Sequence, residues 1–247
     1  MDSQTLVIIA GAVAAGFVQG LSGFGFGLVA MSVWAWTLDP QLAAVLAVCG
    51  GCTGQVVAAI TVRRGFDLQR LWPFIVGGLL GIPVGLLVLP LLDVHLFKMV
   101  LGLILVLCCP AMLMADRLPR VAWGGRWGDA MAGWVGGAMS GIGGFSGIAP
   151  TLWCTLRGYD KNAQRAVIQT FNLTVLMVTT LTYVVTGLIN ASTLPWLALV
   201  LPAMLVPSLI GARVYIGLSP ATFRQIVLGL LSLSGVAMLA SELMVRS

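Results

Sequence analysis

Two stretches decide how this chain is read: Gly20-Leu-Ser-Gly-Phe-Gly-Phe-Gly27 and Gly136-Gly-Ala-Met-Ser-Gly-Ile-Gly-Gly-Phe-Ser-Gly147. Each lies in the middle of an apolar segment, Thr5–Trp36 and Gly128–Leu156. As single helices these segments would be roughly 45 Å long, against a hydrocarbon core of about 30 Å. Glycine disfavours helix by about 1 kcal/mol per residue, so each segment is expected to be two half-helices meeting at a break. Six further apolar segments, Gln41–Val62, Leu71–Leu91, Leu96–Ala115, Ala166–Ile189, Leu194–Ala212 and Pro220–Leu243, each match one membrane span.

The composition agrees with a membrane setting. Of 247 residues, 59% are apolar and only 9% charged, with a mean hydropathy of +1.04. Soluble domains carry about 25% charged residues, so this chain lacks the side chains for a water-facing shell. Ordinary soluble enzymes, nucleic-acid binders and disordered chains are excluded. The partner that remains is the lipid bilayer, and the chain is expected to be an all-α integral membrane protein. Cys49-Gly-Gly-Cys52 has the form of a redox motif, but its apolar flanks and the lack of a nearby His read as helix packing.

The two glycine clusters are related. Gly20-Leu-Ser-Gly-Phe-Gly25 aligns with Gly141-Ile-Gly-Gly-Phe-Ser146 at an offset of 121, and the same offset carries Asp39 onto Asp160, each a helix N-cap candidate. Phe97-Lys-Met-Val-Leu-Gly-Leu103 echoes Phe223-Arg-Gln-Ile-Val-Leu-Gly-Leu230 with one residue inserted. The expected organisation is two pseudo-symmetric halves of about 120 residues, 1–115 and 128–247, joined by a cytoplasmic linker, 116–127. Each half would comprise a broken, re-entrant segment and three transmembrane helices, a duplication common in transporters.

Charge separates two topologies. If all eight segments cross, seven basic residues fall on one side (Arg63, Arg64, Arg70, Arg117, Arg120, Arg126, Arg246) and six on the other. If segments one and five dip in and return, 11 basic residues share one side and only Lys98 and Arg246 oppose them. The positive-inside rule favours the second arrangement. An odd number of crossings per half then makes the halves inverted repeats.

Irregular backbone at membrane depth is tolerated only where it is buried in protein or lines a watery cavity. Half-helix N-termini offer free N–H groups and partial positive charge, which suits an anion. The candidate binding residues are therefore Gln19, Ser22, Gly23, Phe24 and Gly25 at the first break, and Ser140, Gly143, Gly144, Phe145 and Ser146 at the second. Phe24 and Phe145 would flank an apolar part of the ligand, whereas Trp34, Trp36 and Trp153 read mainly as an interfacial belt. In the sixth segment Arg165, Gln169, Asn172, Thr179 and Thr186 form one polar face. Gln169 and Asn172 complete the candidate set, with Thr53 and Gln55 as secondary candidates in the second segment. Gly77, Gly81 and Gly85 read as helix packing. No Asp or Glu stands in the middle of a span, no phosphate-binding loop occurs, and no metal cluster or nucleophile set is present. The expectation is a carrier of a small anion, not an enzyme, without metal or cofactor. A homo-oligomer is left open by the sequence, as are an anion channel and a subunit of a larger transport complex.

The ordered pair of glycine motifs, Gly20–Gly25 and Gly141–Ser146, in a chain near 250 residues resembles the TauE/SafE sulfite-exporter-like permeases over essentially its whole length. The resemblance implies a multi-pass protein of the bacterial inner membrane that moves sulfite or an organosulfonate. Within that family the chain is similar to the permeases assigned to toluenesulfonate uptake. Ser146, Gly147 and Pro150 depart from a strict Gly-Gly-Gly consensus at the second motif.

Overall fold

A computed structural model describes residues 2–23, 25–61, 68–115, 119–121, 123–213 and 220–246. Those residues form ten α-helices: α1 (Ser3–Ser22), α2 (Phe26–Trp34), α3 (Pro40–Thr61), α4 (Leu68–Val88), α5 (Val94–Met114), α6 (Gly125–Gly143), α7 (Ile148–Leu156), α8 (Lys161–Val185), α9 (Leu194–Arg213) and α10 (Pro220–Arg246). Among the described residues seven helices are long and apolar enough to cross a membrane. The chain is an all-α, multi-pass membrane protein. Its outer helices present bare apolar side chains such as Leu80, Leu87, Leu181 and Leu233, as a lipid-facing surface requires.

Both long apolar segments are broken, at positions that backbone chemistry explains. α1 ends at Gly23 (φ +76°) and α2 begins after Gly25 (φ +100°); α6 ends at Gly144 (φ +77°). These left-handed conformations are open to glycine and costly for side chains with a Cβ. Each segment forms two helices meeting at a break, and the two are unequal in length. α1 has 20 residues and α2 nine, and α6 has 19 and α7 nine. The helices run through most of their glycines because these lie in helix–helix seams and do not interrupt the helix. α1 qualifies as a full span by length and hydropathy, while α6, diluted by glycine, does not.

The short helices double back. Trp34 at the end of α2 donates its indole N–H to the Ile8 carbonyl near the start of α1, at 3.2 Å. At the other extreme of the hairpin, the Phe26 N–H meets Gln19. In the second hairpin Trp153 of α7 donates to Asp129 Oδ1 near the start of α6, at 2.7 Å, and Ser146 lies against Gly136. Gly11 and Gly128 leave room for the two indoles; a Cβ on either would come within 2.2 Å of the ring. Trp34 and Trp153 are thus hairpin clasps and not members of an interfacial belt, a correction that follows from their polar partners.

Two glycine seams hold the bundle. A Cβ on Gly77, Gly81 or Gly85 of α4 would lie 1.9, 2.1 and 2.1 Å from the carbonyl oxygens of Ala130, Trp134 and Ala138 of α6. Both series ascend, so α4 and α6 run parallel with their backbones in contact, the small-residue packing favoured inside membranes. α1 packs parallel to α9 in the same manner, with Gly16 against Met204 and Gly20 against Ser208. α5 and α10 run antiparallel: His95 and Lys98 reach Glu242 at 2.7 and 3.7 Å, while Gly102 lies against Gly235.

These contacts sort the loops into two ends. At one, the Arg70 guanidinium stands 5.4 Å from the Tyr159 ring centre, Arg126 covers Trp72, and Val121 bonds to Leu156. At the other, Lys98 covers Trp36 beside the His95–Glu242 pair. Arg63, Arg64 and Arg117 lie outside the described residues. Asp39 and Asp160 cap α3 and α8 as expected, accepting from Gln41 and Leu42 and from Asn162 and Ala163. The Ala163 N–H, with that of Asn162, holds the Asp160 carboxyl below the usual carboxylate range.

Candidate functional site

The two breaks converge on one small cavity. Its walls are Gln19 of α1, Gly25–Leu28 opening α2, Gly51 and Gln55 of α3, Gly144–Ile148 leading into α7, and Asn172 and Leu176 of α8. Its volume is about 20 Å³, room for a water molecule or so in the state described. α2 runs from the cavity toward the Trp36 end and α7 toward the Tyr159 end, so both short helices turn their N-terminal, electropositive ends inward. No lining side chain carries a charge.

Three side-chain amides and one hydroxyl supply the polarity, and backbone partners of known sense fix the orientation of two of the amides. The Gln19 oxygen accepts from the Phe26 N–H at 3.2 Å, so its amide nitrogen is left facing away from that bond. Gln55 donates its amide nitrogen to the Gly23 carbonyl at 3.0 Å, which leaves its oxygen. Gln19 Nε2 and Gln55 Oε1 are both buried and have no hydrogen-bond partner among the described residues. Their residues are 3% and 2% exposed, a setting in which an unsatisfied amide group costs about 1–3 kcal/mol. Ser146 donates to Asn172 Oδ1 at 2.9 Å, which leaves the Asn172 amide nitrogen as donor against Gly147.

Of the residues expected at the site, Gln19, Gly25, Gly144, Phe145, Ser146 and Asn172 meet at the cavity. Ser22 does not: it donates to the Val18 carbonyl at 2.7 Å and borders a separate apolar pocket with Phe223 and Val227. Ser140 is fully buried against Thr179, its hydroxyl 3.0 Å from Oγ1, as an interhelical hydrogen bond. Gly23 forms the turn itself and Gly143 accommodates the Phe145 ring, both beside the cavity and not on its wall. Gln169 lies half-buried on α8, nearly a turn nearer the Tyr159 end than Asn172, and does not line the cavity. Phe24 lies outside the described residues. Gln55, a secondary candidate by sequence, stands on the wall with an open acceptor. Gly27, Gly51 and Leu176 carry no chemical signal that the sequence alone exposes.

The two directions out of the cavity differ. Toward the Trp36 end it is closed by Ala30, Met31, Trp34, Ala44 and Ala47, all without exposure. Toward the Tyr159 end α7 presents Thr151, whose buried hydroxyl has no partner among the described residues, and α8 presents Gln164, which donates to the Thr151 carbonyl and to Thr155. Beyond these lies Arg157, 4.0 Å from the buried Asp129. Asp129 escaped the sequence reading because nothing in its neighbourhood announces its partner 24 residues later.

The cavity thus lies between two helix breaks in a multi-pass bundle, with two helix N-termini turned toward it and no charged side chain among the described residues that line it. The sequence profile described as sulfite exporter TauE/SafE matches residues 8–238, nearly the whole chain and both breaks. The chain belongs to the TauE/SafE family. No curated protein and no solved structure matches it. As a TauE/SafE protein it is a membrane transporter for a small anion, not an enzyme.

Proposed function

We propose that this TauE/SafE protein is a secondary permease for a small sulfur-containing anion, sulfite or an organosulfonate such as toluenesulfonate, working by alternating access in the bacterial inner membrane. The observation that carries the reading is the aim of α2 and α7, whose N-termini face one cavity that also holds two buried amide groups without partners. A compact head group with several acceptor oxygens takes N–H donors from such a nest without a buried cation. In this reading Gln19, Asn172 and the N–H groups that open α2 and α7 bind the anionic head, and Ser146 orients Asn172.

Two further features support inverted halves. Residues 121 apart line the cavity as pairs: Gly25 with Ser146, Gly27 with Ile148, Gly51 with Asn172, and Gln55 with Leu176. The parallel seams exchange partners between halves, the first helix of each packing on the third long helix of the other. The end bearing Arg70, Arg120 and Arg157 is the cytoplasmic one by the positive-inside rule. The substrate exchanges with the cytoplasm past Thr151 and Gln164, and a rearrangement of the Trp34 region opens the other side.

Counterflow in proteoliposomes tests this. Labelled sulfite or toluenesulfonate should enter saturably and be accelerated by unlabelled substrate on the far side. Flux without that acceleration would indicate a channel instead, and no flux from purified protein would indicate a missing partner subunit.

A further inference from the structure

The polar groups of the cavity are not all donors, and this narrows the ligand. A backbone N–H can only donate and a backbone carbonyl can only accept, so the partners of Gln19 and Gln55 fix both amides without ambiguity. Beside the Asn172 amide nitrogen and the helix N–H groups, the wall holds a further donor, Gln19 Nε2, and an acceptor, Gln55 Oε1, each buried and without a partner among the described residues. An anion whose head bears only acceptor oxygens satisfies the first and leaves the second unmet, pressed oxygen against oxygen. Charge narrows the ligand again. Each helix N-terminus acts as roughly half an elementary charge, so α2 and α7 together offset about one negative charge. No Lys, Arg or His lines the cavity to offset a second.

We infer that the site takes a singly charged oxyanion that keeps one acidic hydrogen, hydrogen sulfite being the form among sulfur oxyanions, and that Gln55 is the residue that selects it by accepting that hydrogen. The inference rests on the transport reading above and adds to it the protonation state of the substrate. Sulfite as the dianion and sulfate are refused on charge; alkyl- and arylsulfonates, with no hydrogen on the head group, are held less well. The proton then crosses on the substrate and leaves when hydrogen sulfite dissociates on the far side. A carrier of this kind needs no carboxylate or His relay at membrane depth, and no titratable side chain lines the cavity.

The test uses the purified full-length protein in proteoliposomes, with sulfite and methanesulfonate as probes; methanesulfonate keeps the single charge and replaces the acidic hydrogen by a methyl group. At fixed total sulfite, counterflow should follow the hydrogen sulfite fraction, falling about tenfold per pH unit once that form is the minor one. Methanesulfonate should compete at least about tenfold less well, a difference of about one hydrogen bond. Gln55→Leu should reduce sulfite affinity to that of methanesulfonate. Should this variant fail to fold, the two wild-type measurements decide alone. Equal competition by methanesulfonate, with sulfite flux indifferent to its protonation, would overturn the inference and leave the transport reading standing. Absence of sulfite flux from the purified protein would remove the reading of a self-sufficient permease, and this inference with it.

Discussion

Ser146 donates its hydroxyl hydrogen to Asn172 Oδ1 at 2.9 Å, joining the lead-in of α7 to the middle of α8 inside the cavity wall. The bond engages the oxygen end of the Asn172 amide. With its oxygen engaged, Asn172 presents a donor toward the cavity, as an anion requires. Ser146→Ala should therefore weaken substrate binding without abolishing the fold. The expected change is a rise of about 5- to 30-fold in the half-saturating concentration for counterflow, corresponding to about 1–2 kcal/mol. Asn172→Leu should do at least as much, and the double variant should add little to it because the two side chains act as one unit.

The α4–α6 seam predicts a sharp contrast between glycines. A Cβ on Gly137 would stand 2.0 Å from the Gly78 carbonyl oxygen, a backbone atom that cannot swing aside, whereas nothing lies within 4 Å of one on Gly229. Gly137→Ala should separate the helices and destabilise the protein by about 1–3 kcal/mol, the cost of overpacking a tight core. Gly229→Ala should leave the melting temperature unchanged or slightly raised, since alanine favours helix. Melting curves in detergent, followed by size-exclusion profile, distinguish the two.

These seams also show where the sequence was legible and where it was not. The eight apolar segments, the position of both breaks and the caps Asp39 and Asp160 follow from local chemistry, and the structure has each of them. The unequal hairpins do not follow from it. Gly16, Gly20, Gly137 and Gly141 look like helix breakers in a string, and only the neighbouring backbone of α9 or α4 makes them helical. The same limit applies at the site. Gln19 and Asn172 stand out as polar residues in apolar surroundings, and they do reach the cavity. Ser22 and Ser140 stand out equally, yet they bond to Val18 and Thr179, which no spacing rule foretells.

The contact of Arg70 with Tyr159 places the start of α4 and the loop after α7 at the same end of the molecule. Single cysteines introduced at Tyr159 and Arg120, in a background without the five native cysteines, should both be labelled from the cytoplasmic side. One introduced at Asn190 should be labelled from the opposite side. Labelling of Arg120→Cys and Tyr159→Cys from opposite faces would contradict the hairpin arrangement of α6 and α7.

Thr151 has a buried hydroxyl with no partner among the described residues, on the α7 turn between the cavity and Gln164. Replacing it by valine removes an unsatisfied group at almost constant volume, so stability should be unchanged or improved by up to about 1 kcal/mol. Transport should nonetheless slow, because the hydroxyl lies on the polar route to the basic end. A variant that melts no lower than wild type but turns over several-fold more slowly is the expected result. Unchanged turnover would move the route elsewhere.

The central claim is that an anion sits between the N-termini of α2 and α7, and selenite, which replaces sulfur by a heavier scatterer in the same oxyanion, tests it most directly. A crystal soaked in selenite and measured at the selenium edge should show one anomalous peak in the cavity, within hydrogen-bonding reach of Gln19 and Asn172. A peak only beside Arg157 or Arg70 at the basic end, in protein that competes for sulfite transport in the same selenite, would contradict it.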